Sequence, residues 1–441
     1  MPASWEINAE WEHLATGSPE ERACFGALAI YANGHCLTEG QDALANRLRK
    51  APYLSAYHLA EWLAWNWWRL RWEPRTQAID WAMSHRMSSI GGGYIWPDIT
   101  LSSDGERLAV VAHATSERPE TLFRYINSVT AVLSASAFES GVDEFVTQVL
   151  ERLNAEGLPH TNLADIWSEV LAEREDAEQT FQRKLEALMG HDPDEAPVAF
   201  MTQLQDDARA FGNTAAQELA ASIGQSHGLK APLSVTGIRD IARQMGHASS
   251  PQDRVCRTLV VPEGSRGQIP AWKLGVGAAR LLRQQERLGV LPISNDCLAA
   301  MMGMSVQSLE KTSGKSDAFA FALNDSNLNN PVVLRARGGT GRRFELARLL
   351  GDCLMPGDRK QLYPATGTDT YQQQLQRAFA AELLCPFDTA RDMLAGDYSD
   401  ENQQDVADYF QVSDLTVRTQ LVNNHLLERS ELDHERFALA A

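Results

Sequence analysis

Apolar residues recur at helical spacing over most of the chain and alternate at strand spacing in a few short windows. Phe25 to Tyr31 and Leu108 to His113 read as apolar strands, with Asn33-Gly34 and Asp104-Gly105 as turn signals. Tyr57 to Trp72 reads as one helix on which Trp65, Trp68 and Trp72 stand at i, i+3 and i+7 and form a face. Gly91-Gly92-Gly93 and Trp96-Pro97 break the chain, and Phe123 to Leu153 looks helical again. Further on, Leu163, Trp167, Val170 and Leu171 form one apolar stripe, and Phe181, Leu185 and Leu188 another. The charged run Glu173 to Glu178 between them reads as a solvated face, and His191 to Pro197 as a loop. From Trp272 onward the pattern predicts an amphipathic helix over Gly275 to Leu288 and a short one over Pro292 to Met302, with Ser294 as its cap. Val306 to Lys311, Ala318 to Leu323 and Pro331 to Arg337 suit strands of a small sheet. Arg342 to Met355 and Tyr371 to Leu384 suit helices, and Pro386 ends the second. Asp405 to Leu427 reads as a helix-turn-helix turning at Gln411-Val412-Ser413.

These elements predict a mainly helical α+β protein. The expected division is a Trp-rich α+β domain over 1–154, a helical middle region over 155–265, a helix-and-small-sheet domain over 266–430, and a tail over 431–441. Ser249-Ser250-Pro251 and Pro262 to Pro270 are the candidate boundaries near the last domain. A chain of 441 residues, 44% hydrophobic, can bury cores of this number and size. The N-terminus lacks a basic region followed by an apolar run, and no window approaches a membrane span, so a cytoplasmic protein without membrane contact is expected. The six cysteines show no paired spacing and read as reduced thiols. A net charge of −18 speaks against a general nucleic-acid binder, which needs a basic face.

The most telling chemistry lies between Arg342 and Pro386. Arg342 to Leu354 read Arg-Arg-Phe-Glu-Leu-Ala-Arg-Leu-Leu-Gly-Asp-Cys-Leu, and Ala378 to Pro386 read Ala-Phe-Ala-Ala-Glu-Leu-Leu-Cys-Pro. Together they resemble the ImmA/IrrE family of zinc metallo-endopeptidases, whose members carry a helix of the type R-F-T-L-A-H-E-L-G-H and then one of the type A-N-x-F-A-A-E-L-L-M-P. The resemblance spans roughly residues 270–428 and implies a zincin-like domain with a small sheet. Phe344, Leu346, Ala347, Leu350, Gly351 and Leu354 keep the frame. The reactive positions are changed: the first His is Arg348, the general-base Glu is Leu349, and the second His is Asp352.

In a His-Glu-x-x-His helix two imidazoles at i and i+4 share a face and ligate zinc, while the Glu takes a proton from the bound water. Arg348 stays protonated and cannot ligate a cation, and Leu349 cannot accept a proton. The family's third ligand is usually a Glu shortly before the second motif. Tyr371 to Ala381 contains no acid, and Glu382 stands where active relatives carry a Glu that is not a ligand. No metal, cofactor or catalytic residue is therefore expected. Arg348 and Asp352, at i and i+4, can pair as a polar filling of the former metal pocket, lie exposed at the surface, or mark a relocated metal site.

Arg335, Arg337, Arg342, Arg343 and Arg348 are interleaved with Gly338-Gly339-Thr340-Gly341. That run is a candidate clamp for a phosphate or an acidic partner, or a solvated strand-to-helix loop. On the Trp-rich helix, Trp65, Trp68, Trp72 and Arg69 form a candidate surface for stacking or for a protein partner, against the alternative of core packing. The helix-turn-helix offers Arg418 to a DNA base, but Asp388 to Asp408 holds seven acids and one base, so packing against the domain is the better reading.

The resemblance implies a setting in bacterial regulation, stress response, toxin–antitoxin systems or defence against phage and mobile elements. A member without its catalytic letters is expected to keep a protein-binding cleft for an acidic or helix-turn-helix partner. The competing readings are an active peptidase with displaced ligands and a DNA-binding regulator.

Overall fold

The computed structural model describes residues 4–78, 80–116, 122–225, 234–255, 267–310, 319–355, 361–428 and residue 432. The expected linker at Pro262 to Pro270 falls partly outside these residues, and so does nearly all of the tail at 431–441. The fold is α+β and mainly helical, with small antiparallel sheets. No helix among the described residues is long and apolar enough to cross a membrane. The chain forms two compact units. The first holds the described residues through Leu204, with those of 220–232 and 368–370; the second holds those of 205–219, 233–367 and 371–441.

The first unit opens with β1 (Trp5–Trp11), α1 (Pro19–Ala23), β2 (Phe25–Ala32), β3 (His35–Cys36), β4 (Gly40–Asp42), β5 (Arg47–Arg49) and β6 (Tyr53–Ser55). Helices α2 (Ala56–Trp65), α3 (Trp67–Trp72) and α4 (Trp81–His85) follow. Then come the hairpin β7 (Asp98–Ser103) and β8 (Arg107–His113), turning at Asp104-Gly105, and strands β9 (Phe123–Tyr125) and β10 (Val129–Ser134). Helices α5 (Ala135–Ala155), α6 (Asn162–Glu175) and α7 (Ala177–Leu188) complete its sequence-continuous part. The sheets run β1-β2-β3 with β6 on β2, β10-β8-β7, and β5-β4-β9. One core joins Leu28, Leu63, Phe138 and Phe145 to Leu163, Trp167 and Val170 of α6. Helix α6 and Ala187 of α7 thus share a core with the N-terminal strands. Trp67 sits at its centre, stacked on Phe138 at 6.1 Å and edge-on to Trp167 at 5.5 Å.

Two expectations fail here for local reasons. The helix expected over Tyr57 to Trp72 is interrupted at Asn66, where the Trp62 carbonyl accepts both the backbone amide of Asn66 at 3.1 Å and its side-chain amide at 2.8 Å. The helix expected from Phe123 begins only at Ala135, where the Ser134 side chain accepts from the Ala137 amide. Upstream, Val129 to Ser134 alternates between faces and pairs with β8 from Val129 opposite Ala112 to Ser134 opposite Arg107.

Helices α8 (Val198–Phe211) and α9 (Asn213–Gln225) contribute residues to both units. The second unit continues with α10 (Val235–Met245), α11 (Ala271–Gln285), α12 (Asn295–Met301), α13 (Gln307–Glu310), β11 (Ala320–Leu323) and β12 (Val332–Val333). It ends with α14 (Gly339–Leu354), β13 (Leu362–Ala365), α15 (Tyr371–Leu384), α16 (Phe387–Leu394), α17 (Asp400–Phe410) and α18 (Asp414–Asn423). Ser294 caps α12 as expected, accepting from Cys297 N at 3.2 Å. The strand expected at Val306 to Lys311 is instead the short turn α13 where it is described, because Ser305 and Val306 carbonyls accept from Ser308 and Leu309 amides. The sheet's third strand is β13, giving the order β12-β11-β13.

Two glycines set how closely the helices approach α15. A Cβ on Gly275 of α11 would lie 2.5 Å from the Leu375 carbonyl oxygen, and one on Gly351 of α14 would lie 2.5 Å from the Phe379 ring. Only glycine lets both helices lie this close to α15. Leu346, Leu350, Phe379, Leu383, Phe410 and Leu421 form the core below them.

Candidate functional site

Helix α14 lays Leu346, Leu349, Leu350 and Leu354 into the core and turns Arg348 and Asp352 toward α15 and β13. Leu349, at the general-base position of the resembled motif, is fully buried among apolar side chains. Arg348 and Asp352 are also buried, which sets aside the surface alternative. They do not form the direct i, i+4 pair that the spacing allows; glutamines of α15 stand between them.

Arg348 Nη2 donates to Gln373 Oε1 at 2.6 Å, to the Thr366 carbonyl at 2.6 Å and more weakly to Gln376 Oε1 at 3.4 Å. Gln376 Nε2 donates onward to Asp352 Oδ2 at 3.0 Å and to the Pro364 carbonyl at 3.1 Å. Gln372 Nε2 donates to Asp352 Oδ1 at 2.6 Å. Gln373 extends the network by accepting from Thr366 N at 2.8 Å and donating to the Pro364 carbonyl at 3.0 Å. Gln376 is thus the bridge: its oxygen faces the cation and its nitrogen faces the anion. Burial, reinforced by the positive charge of Arg377, pushes the Arg348 guanidinium down to about 9, which leaves it protonated at neutral pH.

Such an arrangement can hold charge in place. Among the described residues, no three or more His, Cys, Asp and Glu side chains group so as to hold a metal ion. Glu382 ties helices together: Oε1 accepts from Arg280 of α11 at 2.7 Å, and Oε2 accepts the Phe387 amide at 3.2 Å at the start of α16.

The arginine run separates into two groups. Arg335 and Arg337 lie toward solvent, and Glu345 accepts the Arg335 and Ala336 amides to fix the loop. Arg342 and Arg343 are only 1% and 2% exposed. Arg342 donates to the Ser308 carbonyl at 2.6 Å and the Ala336 carbonyl at 3.3 Å; Arg343 donates to the Ile293 carbonyl at 2.6 Å and to Asn295 Oδ1. Burial lowers the pKa of both. The expected five-arginine partner clamp is corrected on this point. Arg342, Arg343 and Arg348 satisfy buried carbonyls and brace α14 against α12, α13 and β13, which leaves Arg335 and Arg337 at the surface.

The tryptophan surface is corrected as well. Because the helix breaks at Asn66, Trp65 points outward, 57% exposed, while Trp68 turns inward. Trp68 Nε1 donates to Glu173 Oε2 at 2.7 Å, so Glu173 is buried rather than part of a solvated run. Trp72 is held between Arg71 and Lys184, each 3.7 Å from its ring centroid. Arg69 is buried on Glu73 at 2.7 Å, and the other Glu73 contact is His85 Nε2 at 2.9 Å.

In the helix-turn-helix pair, Val406, Phe410, Val417 and Leu421 join the unit's core. Arg418 lies on Asp400 at 2.8 Å. The residues missed from sequence are the α15 glutamines. Their signal was present as Gln372, Gln373 and Gln376, uncharged polar positions at i, i+1 and i+4 that fall on the buried side of the helix.

No family model and no curated protein matches this chain.

Proposed function

We propose that this chain is a non-catalytic relative of the ImmA/IrrE peptidases that works as a regulatory or protein-interaction component. The setting implied by the resemblance is bacterial stress response, toxin–antitoxin control or defence against phage and mobile elements. One observation carries the reading: where that family's metal ligands would face the crossing helix, Arg348 and Asp352 are tied by Gln372, Gln373 and Gln376 into one polar network. A protonated guanidinium in that position repels a cation, and Leu349 offers no base. The partner in this reading is a protein, with the outward-lying Arg335 and Arg337 as the basic points of contact beside α14.

The test is elemental analysis of the purified protein, together with incubation against a helix-turn-helix repressor in the presence and absence of chelator. The expected result is no stoichiometric zinc and no chelator-sensitive cleavage. About one zinc per chain, lost on Asp352→Ala, or metal-dependent cleavage of the repressor would overturn the reading.

A further inference from the structure

The first unit carries a row of partly exposed rings at the edge of its core, which Tyr94 packs against. Tyr53 of β6 and Phe25 of β2 are brought together by antiparallel pairing of their strands. Their rings stack with centroids 5.8 Å apart and planes 24° apart. Phe25 meets Tyr94 at 6.3 Å, and Tyr94 meets His58 of α2 at 6.0 Å. None of these four rings is buried, and Tyr53 is 42% exposed.

Carboxylates edge the row. Tyr94 donates its hydroxyl to Glu21, and the neighbouring Tyr57 donates to Glu61 at 3.0 Å; Glu61 also accepts from Asn162 at 2.9 Å. Glu20 is close enough for its charge to act on Tyr57. Among the described residues, Glu20, Glu21 and Glu61 make no ion pair, although two of them are oriented by tyrosine hydroxyls. At the far end of the row the protein already shows what such a ring attracts: the Arg49 guanidinium lies over Tyr53, 4.7 Å from its centroid.

We propose that this ring row, edged by Glu21 and Glu61, docks an extended, arginine-bearing segment of a basic protein partner. The electron-rich ring faces favour a cation, and a planar guanidinium stacks on them better than a compact ammonium does. The carboxylates can then take the same guanidinium through charge-assisted bonds. They also repel phosphate, which sets this surface apart from a base-stacking platform. The proposal does not rest on the reading of α14, because all of its residues belong to the first unit.

The test is titration of the full-length chain with a fluorescent peptide of alternating arginine and proline at low salt. Lysine–proline and glutamate–proline peptides serve as comparisons. Wild type is expected to bind the arginine peptide most tightly. Binding should weaken about tenfold or more in Glu21→Gln combined with Glu61→Gln, and comparably in Tyr53→Ala, as for the loss of anchor contacts. Removing two charges elsewhere, by Asp405→Asn with Asp408→Asn, should leave binding unchanged. The carboxylate pair is read from variants whose melting is unaltered, so a folding defect in Tyr53→Ala does not decide the outcome. Three results would overturn the proposal: no binding by wild type, equal weakening by both charge pairs, or a wild-type dimer that Tyr53→Ala dissociates. The second would mean attraction by overall charge, and the third a second copy as the occupant.

Discussion

Arg183 in the first unit and Arg348 in the second are both buried, and their surroundings differ in kind. Arg183 meets three carboxylates: Glu173 at 2.6 Å, Glu186 at 2.9 Å and Asp194 at 2.8 Å. Burial by itself lowers its pKa, but hydrogen bonds to the carboxylates outweigh that and raise it. Arg69 repeats the pattern with Glu73 and Asp192. Arg348 meets a backbone carbonyl and two glutamine oxygens; Arg342 and Arg343 are likewise bonded largely to carbonyls, and all three are lowered by burial. Among the described residues, Arg183 and Arg69 of the first unit are neutralised by anions, whereas Arg343 and Arg348 of the second are met by carbonyl and amide oxygens. The first device makes each arginine indispensable to its carboxylates. The second holds a cation under electrostatic stress.

The largest effect should come from breaking the charge-compensated cluster. Arg183→Met would leave Glu173 and Glu186 buried without their cation, at a cost of about 3–5 kcal/mol. In wild type the Arg183 hydrogen bond also holds the Asp194 carboxyl below the usual carboxylate range, and the variant loses that contribution, which exists only while the carboxyl is ionised. The variant's deficit should therefore shrink as pH falls and grow as it rises. Urea unfolding of wild type and variant at several pH values measures this, and a deficit independent of pH would remove the contrast drawn above.

Arg348→Met removes the stressed cation and its bonds to neutral acceptors, and should cost only about 1–3 kcal/mol. Because the folded-state pKa of Arg348 is lowered to about 9, the unfolded chain binds more protons from there up to the ordinary arginine range. Wild-type stability should gain over that window as pH rises, and the variant should lack the gain. The gap between them, read from urea midpoints, is expected to widen above about pH 9. A gap that narrows there would show that Arg348 is not destabilised by its surroundings.

The legible parts of the molecule were those fixed by short-range pattern. Strand β8, helix α15 and the Ser294 cap follow from periodicity and capping within a few residues. The α14 frame was legible because Gly351 and the leucines keep their spacing. Its polar network was not, because Arg348 is satisfied from 18, 25 and 28 residues away by Thr366, Gln373 and Gln376. Trp68 meets Glu173 across 105 residues, so a charged run that looks solvent-facing locally supplies a buried acceptor. The interruption at Asn66 is marked by a side-chain amide that joins the backbone amide on the Trp62 carbonyl, a local feature that a long apolar pattern masked.

The smallest predicted effect isolates the amides themselves. The two Asp352 oxygens each accept one glutamine N–H, from Gln372 at 2.6 Å and from Gln376 at 3.0 Å. Asp352→Asn replaces one acceptor with an NH2 group, so that a donor faces a donor in a buried site, at a cost of about 1–2 kcal/mol. Adding Gln372→Glu returns an acceptor opposite the new amide and should recover part of the loss. The double-mutant cycle is then expected to show a coupling of about 0.5 kcal/mol or more. If the two substitutions are simply additive, Asp352 is not held by the α15 amides. The second unit would then owe the burial of its charges to something other than neutral dipoles.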